Sequence, residues 1–337
     1  MLKENVMSEM HRRPGAMRKG LSRLQCAVLI ALGALSLAGA ARAEDPAIRI
    51  VVSLPAGGGV DVMARYLAQQ LGKELQRSVV VENRPGGSGT IAARAVMNAP
   101  EGQTTLLAGG NQEITIAPHL LKDAHYRPLE SLVPVLQVGV VPSVVVAKAG
   151  TDAGPDALLQ GLKERRDLSI GIPGRGTPMH IALEDVAHQA GGQFLAVPYK
   201  GAPDVLTGVL SGSTRYGAVG YSAAKSMLDG GSLVTVAVLA QQRSPLLPQV
   251  PAMAEQTLFE QGLPQVWYGF FMPGKTAEDE VRKISAAFER LLGQAPVQAR
   301  LRELGIQVTG LGESAFAQAL EAESRYYRDA ILQYEVQ

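Results

Sequence analysis

The order of apolar and amphipathic segments restricts the fold of this sequence more than any other feature. The run IRIVVSL (48–54) is typical of a buried strand, and it precedes a stretch whose apolar residues from Met63 to Leu75 recur every four positions, as on one face of a helix. The next segments alternate in the same way: SVVVEN (78–83), GGSGTIAARAVMNA (86–99) and TTLLAGG (104–110). Strands that alternate with helices are typical of a parallel sheet covered by helices, so we predict an α/β fold.

The second half of the chain repeats this order of segments. They are LSIGIPG (168–174), a helical stretch over 177–190, QFLAVPY (193–199), a helical stretch near 203–210, RYGAVGY (215–221), a helical stretch over 222–229 and SLVTVAVLA (232–240). Because both halves alternate strands with helices, we predict two α/β units, each a mainly parallel sheet flanked by helices.

Two apolar segments, 131–150 and 263–274, are predicted to cross from one unit to the other. The first contains Pro134 and Pro142 and is longer than an ordinary strand. Two crossings make the first unit discontinuous. The predicted domains are residues 46–140 plus 264–337 (domain 1) and residues 141–263 (domain 2). Two crossing strands can form the hinge of a closing cleft, and ligand sites in open α/β sheets lie at the carboxyl ends of strands.

Residues 1–43 have the features of a secretory signal peptide. A basic region precedes the apolar run AVLIALGALSLAGA (27–40), which is too short to span a bilayer comfortably. The residues Ala-Arg-Ala at 41–43 fit an A-x-A cleavage site. We therefore predict cleavage after Ala43 and export to the periplasm.

The composition of the remaining chain excludes some classes of protein. The one cysteine is Cys26, so residues 44–337 contain no disulfide and must rely on their own core. Residues 1–43 carry seven of the 32 basic and two of the 31 acidic side chains, which leaves residues 44–337 with a formal net charge of −4. A basic surface for nucleic acid is therefore not expected.

Three predicted strands end in glycine-rich turns that open a helix. The turns are Gly57-Gly58-Gly59, Gly86-Gly87-Ser88-Gly89 and Gly174-Arg175-Gly176-Thr177-Pro178. Glycine lets the backbone approach a ligand closely, and the N–H groups at a helix N-terminus attract an anion. None of the three turns matches the phosphate-binding pattern G-x-x-x-x-G-K-[ST], so a carboxylate fits them better than a phosphate. The alternative is that these are only tight strand-to-helix turns.

Six stretches carry a resemblance to a known family. They are IRIVVSLPAGGGVDVMARYLAQQL (48–71), VVVENRPGGSGTIAA (79–93), GTPMHIA (176–182), VPYKGAP (197–203), RSPLLPQVPAMAE (243–255) and WYGFFMPGKT (267–276). In this order they resemble the Bug family, the extracytoplasmic solute receptors of tripartite tricarboxylate transporters, over essentially all of residues 46–337. The resemblance implies a type II-like, two-domain periplasmic binding protein that closes on a small carboxylated solute and delivers it to membrane permease subunits.

The resemblance also implies which residues hold the solute. In the family, a P-x-G-G-x-x-D loop and a G-x-G-T loop supply backbone donors, often with water, to one carboxylate. The matching residues here are Pro55, Gly57, Gly58 and Asp61 in the first loop and Gly174, Gly176 and Thr177 in the second. Backbone N–H groups would then take the place of an arginine clamp.

The sequence departs from the family pattern near the predicted cleft. Val60 stands where a hydroxyl residue is usual, Arg175 where a small polar residue is usual, and Arg215 where aspartate is frequent; the turn Gly110-Asn111-Gln112-Glu113 replaces one rich in Ser, Thr and Gly. We hypothesise that Arg175 contacts an anionic or aromatic solute, the alternative being an arginine that faces solvent. The residues predicted to line the cleft and shape its selectivity are Gly110, Asn111, Arg175, Tyr221 and Ser222.

Short motifs leave other functions open. Ser222-Ala-Ala-Lys225 matches S-x-x-K, so a periplasmic serine hydrolase is an alternative, although the companion motifs S-D-N and K-T-G are missing. His180, Glu184 and His188 share the spacing of one helix face and could bind zinc, but no fourth ligand is identified and a mixed polar face on an exposed helix is the favoured explanation. A ligand sensor for a signalling partner is a third possibility. We predict a monomeric binding protein without catalytic activity, cofactor or metal.

Overall fold

The computed structural model describes residues 46–121, 126–164, 168–255 and 265–336. The predicted signal peptide and its cleavage site lie outside the described residues. The strands are β1 (Ile48–Val52), β2 (Val79–Asn83), β3 (Thr105–Gly110), β4 (Leu132–Val141), β5 (Ser143–Lys148), β6 (Ser169–Ile172), β7 (Leu195–Pro198), β8 (Tyr216–Gly220), β9 (Leu233–Val238), β10 (Val266–Pro273) and β11 (Gln307–Gly312).

Helices connect these strands. They are α1 (Gly59–Leu75), α2 (Thr90–Met97), α3 (Ala117–Leu120), α4 (Pro128–Ser131), α5 (Pro155–Glu164), α6 (Pro178–Gln189), α7 (Ala202–Ser211), α8 (Tyr221–Asp229), α9 (Glu278–Leu292), α10 (Ala295–Glu303) and α11 (Glu313–Gln333). Short 3₁₀ turns cover Gly87–Gly89 and Met253–Glu255, and a π-helical turn covers Gln112–Ile116. None of the helices in the described ranges is long and apolar enough to cross a membrane.

In the described parts of the chain the strands form two sheets, which we call, with their helices, the first and the second lobe. The first sheet has the order β11-β4-β10-β3-β1-β2 and the second has the order β7-β6-β8-β5-β9. In the first sheet, β1 pairs in parallel with β2 and β3, whereas β3, β10, β4 and β11 pair antiparallel in turn. In the second, β6 is parallel to β7 and β8, and β5 is antiparallel to β8 and β9.

The prediction of two α/β units, each a sheet flanked by helices, is confirmed. Both sheets are mixed, because β10 and β11 in the first sheet and β5 in the second run against the direction of the other strands. In the first sheet, β4 leads toward the second lobe and its neighbour β10 runs in the opposite direction. Apolar patterning indicates which side chains of a strand are buried but carries no information on its direction, so sequence periodicity alone does not distinguish these arrangements.

The segment 131–150 forms two strands, one in each sheet, with Pro142 between them. Proline has no N–H to donate to a ladder, so it suits the break between β4 and β5. Its carbonyl accepts the N–H of Tyr221 at 2.8 Å. The other predicted crossing, 263–274, contributes β10 to the first sheet, and the residues just before it, 256–264, lie outside the described ranges. The exact domain boundaries stay a prediction.

Helices cover both faces of each sheet. On the first sheet, α1, α9 and α10 pack on one face and α2 and α11 on the other. The ring of Phe270 stacks on Phe288 of α9 with centroids 4.5 Å apart, whereas Phe271 faces Phe316 of α11 at 5.3 Å. On the second sheet, α5 and α6 cover one face and α7 and α8 the other. Each lobe therefore has its own two-layered core.

Gly139 of β4 is expected to tolerate no side chain. A Cβ at this position would overlap the carbonyl oxygen of Gln307 and lie 2.8 Å from Cγ2 of Ile306. Because backbone of β11 cannot move aside cheaply, Gly139→Ala should lower the free energy of unfolding by about 1–3 kcal/mol. Urea unfolding measures this. Gly154→Ala is the control, since no atom lies within 4 Å of its added Cβ; an equal loss in both variants would contradict the packing explanation.

Candidate functional site in the interlobe cleft

Turns at the carboxyl ends of strands from both sheets meet between the lobes, and we call this region the interlobe cleft. A Cβ on Gly59, the first residue of α1, would lie 2.7 Å from the Tyr268 hydroxyl oxygen and 3.4 Å from Oγ of Ser222. Nearby, the side-chain amide of Gln112 donates to the carbonyl of Gly176 at 3.2 Å. First-lobe and second-lobe residues are thus in direct contact in the region where we predict the solute site.

Asp61 organises the turn before α1. Its Oδ2 accepts the N–H of Gly57 at 2.8 Å, and its Oδ1 accepts Nδ2 of Asn83 at 2.8 Å and Nε of Arg65 at 2.9 Å. Burial alone would raise the pKa of Asp61, but these hydrogen bonds outweigh burial and hold the pKa below its usual value. Both oxygens of the Asp61 carboxylate therefore accept protein donors that shape the loop, and its contact with a solute stays a prediction.

The amides of Gly57 and Gly58 are used within the protein. Gly57 donates to Asp61, and Gly58 donates to the carbonyl of Pro55 at 3.2 Å. The ladder of α1 begins with the bond from Val62 N–H to Gly58 at 3.0 Å, so three helical amides precede it. These are the amides of Gly59, Val60 and Asp61. The arrangement favours these three amides as donors to a solute over the amides of Gly57 and Gly58. The predicted contact of those two glycines with a solute stays a prediction.

The turn before α6 has a similar construction. Oγ1 of Thr177 donates to the carbonyl of Gly174 at 2.9 Å and caps the helix by accepting the N–H of His180 at 3.4 Å. The N–H of Gly176 donates to Nδ1 of His180 at 3.1 Å. Gly176 needs the φ of +66° that glycine permits, and Leu120 of the first lobe occupies the space of its absent Cβ.

These bonds leave a second set of amides for a ligand. The ladder of α6 begins at Ile181, whose N–H donates to Thr177 at 3.1 Å, and Pro178 has no N–H. The amides of Thr177 and Met179 therefore precede the ladder, and their N–H groups have no carbonyl partner within the helix. Arg175, two residues earlier, is exposed.

Glu113 fills the space beneath the glycine turns of the first lobe. Its Oε1 accepts the N–H of Gly110 at 2.9 Å, and a Cβ at Gly109 or Gly89 would overlap its carboxyl group. The side chain is 1% exposed. Burial raises the pKa of Glu113 to about 7, and the bond from Gly110 offsets only part of this effect. These two glycines therefore make room for a side chain of the protein itself.

Asn111 does not direct its side-chain amide into the cleft. Its Oδ1 accepts the N–H of Trp267 at 3.1 Å, and its Nδ2 donates to the carbonyl of Gln265 at 3.1 Å and to Glu323 at 2.8 Å. Glu323 of α11 also accepts from Thr115 at 2.5 Å and from Nε1 of Trp267 at 2.8 Å. Burial raises the pKa of Glu323 to about 7 despite these donors. Asn111 therefore ties the turn after β3 to β10 and α11.

Of the two residues predicted after β8, Ser222 reaches the cleft and Tyr221 packs into the apolar layer of the second lobe. Oγ of Ser222 and the Tyr268 hydroxyl both lie next to Gly59, and burial raises the pKa of Tyr268. Lys225 donates to Asp229 at 2.6 Å, and this bond raises the pKa of Lys225. A serine hydrolase would need this lysine as a neutral base, so the raised pKa disfavours that alternative.

The three residues considered for zinc have other partners. Nε2 of His180 lies 3.2 Å from Oε1 of Glu184, while its Nδ1 accepts from Gly176. The ring of His188 packs against Tyr334 with centroids 5.6 Å apart. No cluster of three or more His, Cys, Asp or Glu side chains placed to hold a metal occurs within the described residues.

Tyr268, Glu113, Gln112 and His180 take part in these contacts but are not among the predicted solute-binding residues. Tyr268 lies more than two hundred positions from Gly59 in sequence, so no local pattern connects them. A separate groove of about 430 Å³ lies between Pro245 and the segment 289–310, and none of the predicted site residues lines it. The glycine turns, and not this groove, therefore carry the candidate site.

Comparison with known proteins identifies the family. Residues 63–333 match the family described as "Tripartite tricarboxylate transporter family receptor". Protein BugT of Bordetella pertussis is 32% identical over 232 residues, which cover 68% of this chain and 71% of BugT. The "UPF0065 protein in tcbD-tcbE intergenic region" of Pseudomonas sp. strain P51 is 27% identical and covers 84% of this chain and 85% of that protein.

Solved structures agree with this relationship. R. palustris Rpa4515 with adipate has a TM-score of 0.78 at 24% identity, with 86% of this chain and 98% of that chain covered. MatC from Rhodopseudomonas palustris with bound malate has a TM-score of 0.74 at 25% identity and covers 85% and 99%. The likeness confirms the two-lobed α/β fold. The chain belongs to the tripartite tricarboxylate transporter family of receptors, which are solute-binding proteins and include the Bug proteins.

Proposed function

We propose that this receptor captures a small organic carboxylate in the interlobe cleft and delivers it to the membrane permease subunits of a tripartite transporter. The observation that carries the proposal is the pair of helix N-termini, α1 from the first lobe and α6 from the second, whose leading amides precede the helix ladders. N–H groups at helix N-termini favour negative charge. Closure of the lobes brings both sets onto one carboxylated solute.

Malate is the first probe for this cleft. MatC, the 25% identical relative, holds malate, and a dicarboxylate offers each set of amides a negatively charged oxygen. Isothermal titration calorimetry with malate tests the proposal, and saturable binding that disappears when both carboxylates are esterified is the expected result. Equal binding of malate and its diester would contradict a carboxylate site.

Arg175 is proposed to set the charge of the preferred solute. It is exposed beside the amides of Thr177, where a guanidinium can form paired hydrogen bonds with a carboxylate. Arg175→Ala should weaken binding of a dicarboxylate by about tenfold and leave binding of a monocarboxylate nearly unchanged. Calorimetry on both solutes measures the ratio. Arg300→Ala, a change at an exposed arginine of α10, is the control; equal dicarboxylate affinity in wild type and Arg175→Ala would refute the role.

The remaining features of the proposal concern location and assembly. We place the mature protein in the periplasm after cleavage at Ala43, as a monomer without cofactor or catalytic activity. The bond between Lys225 and Asp229 supports the absence of serine hydrolase chemistry. A chromogenic ester assay on wild type and Ser222→Ala tests this point: we expect no turnover by either, and turnover lost on substitution would establish the hydrolase instead.

A further inference from the structure

The C-terminal part of the chain contacts the second lobe through one buried carboxylate. Asp185 of α6 is 8% exposed, and its oxygens accept the hydroxyl of Tyr334 at 2.6 Å and the hydroxyl of Tyr326 at 3.2 Å. Tyr326 lies in the C-terminal half of α11, and Tyr334 directly follows this helix, which packs on the first sheet. Nε2 of Gln189, within α6 itself, donates to the same carboxylate at 3.1 Å. We call the contact of Asp185 with the two tyrosines the α6–α11 latch.

Apolar packing surrounds the latch. Ile181, one helical turn before Asp185, is fully buried in a cluster with Ile116, Tyr327 and Ile331 of the first lobe. Removal of such side chains from water stabilises the contact between the lobes. The carboxylate at its centre needs its hydrogen-bond donors, because a buried charge without donors is costly.

The latch is connected to both turns of the candidate site. On α6, His180 accepts the N–H of Gly176 and so fixes the turn that precedes the helix. On α11, Glu323 accepts from Asn111 and Thr115 and so fixes the turn after β3. One helix of the first lobe thus holds elements on both sides of the cleft.

We propose that Tyr326 and Tyr334 are positioning residues, which hold α6 through Asp185 and thereby keep the 174–178 turn in the arrangement that retains solute. The role in retention rests on the proposed function. Opening of the cleft on this side must break the latch, so the latch favours the closed form and slows solute release, with little effect on the rate of encounter.

The test uses the variant Tyr326→Phe/Tyr334→Phe, which removes two hydroxyl groups and leaves the rings in the apolar cluster. Tyr216→Phe is the matched control, because the Tyr216 hydroxyl is buried in the second lobe without a hydrogen-bond partner among the described residues. Amide hydrogen exchange without any solute, measured over residues 178–189, should become about tenfold faster in the double variant and stay unchanged in the control. Malate release, measured by stopped-flow fluorescence, should become about tenfold faster, with association nearly unchanged.

The two readouts separate the latch from the proposed function. Unchanged exchange in α6 would overturn the latch whether or not malate binds. Faster exchange with an unchanged release rate would overturn the positioning role, since the contact would then serve stability alone. Failure of the wild type to bind any carboxylate would refute the proposed function, while the exchange measurement would still decide the latch. Asp185→Asn, which keeps one oxygen acceptor, should give intermediate values of both rates.

Discussion

Replacement of Gly59 by alanine is expected to weaken carboxylate binding by about tenfold or more, although the same change would ordinarily stabilise a helix. Gly59 is the first residue of α1 and has no positive φ, so alanine fits the backbone there. Such Gly→Ala changes usually add about 0.4–1 kcal/mol to stability by restricting the unfolded chain. Any loss must therefore come from what the new methyl group meets.

The methyl group would meet Tyr268 and Ser222. Its Cβ would lie 2.7 Å from the tyrosine hydroxyl oxygen and 3.3 Å from Cε2 of the same ring. Relief of this contact requires Tyr268 to move away from α1, and Oγ of Ser222, 3.4 Å from the same Cβ, lies on the second-lobe side of the contact. The lobes must then separate slightly at the point where the amides of α1 face the cleft, and a binding site displaced in this way loses affinity.

A double-mutant cycle with Tyr268→Phe measures the effect. Because phenylalanine removes the atom nearest to the new methyl group, Gly59→Ala should cost much less affinity in the Tyr268→Phe background than in the wild type. Calorimetry with malate gives the affinities and urea unfolding gives the stabilities. Equal losses in both backgrounds, or unchanged affinity with increased stability, would contradict the contact as the cause.

The free energy of unfolding is expected to fall as the pH rises from about 5 to about 8. Burial raises the pKa of both Glu113 and Glu323 from 4.5 to about 7. A carboxyl group with a raised native pKa keeps its proton in the folded state after the unfolded chain has lost it, so its stabilising contribution is complete below the unfolded value and is lost as the pH rises through about 7. Each group contributes at most about 3 kcal/mol to this loss.

Other groups act in different pH ranges. Burial lowers the pKa of His119 in the folded state. The unfolded chain therefore takes up this proton first as the pH falls below the pKa of histidine in the unfolded chain, which lowers the free energy of unfolding. This effect opposes that of the two glutamates only on the acid side of that pKa. The lowered pKa of Asp61 gives stability that is lost only in still stronger acid. Near neutral pH the two buried glutamates therefore determine whether the free energy of unfolding rises or falls with pH.

Urea unfolding at several pH values tests the prediction. Glu113→Gln and Glu323→Gln should each remove roughly half of the slope of stability against pH, because glutamine has no proton to lose. Glu321→Gln, at an exposed position of α11, should leave the slope unchanged. A flat or rising wild-type curve between about pH 6 and pH 8 would contradict the burial of the two carboxyl groups.

Sequence patterns predicted the helix starts and the alternation of elements well. Thr177 and Pro178 indicated the beginning of α6, and the helix does begin at Pro178 with Thr177 as its cap. The break at Pro142 likewise separates β4 from β5. These features are local, since cap residues and proline act on the backbone of their immediate neighbours.

The details of the site were less predictable because they depend on distant contacts. The spacing of Gly57 and Asp61 indicated a loop but not that the aspartate would accept the glycine N–H and leave the following amides for a ligand. Glu113 looks like an exposed loop acid in the sequence, and only the packing of β3 against the 86–89 turn buries it. The direction of each strand could not be predicted from the sequence either, since the apolar pattern is the same for parallel and antiparallel neighbours.

A thermal-shift comparison of the purified wild type and Gly59→Ala against mono-, di- and tricarboxylates tests the central claim, that leading amides of α1 and α6 bind a carboxylate. A solute present at one hundred times its Kd stabilises the native state by about 2.7 kcal/mol, which raises the Tm measurably. We predict a selective increase in Tm with one class of carboxylate in the wild type and a much smaller increase in Gly59→Ala. No increase with any carboxylate, or equal increases in both proteins, would contradict the account.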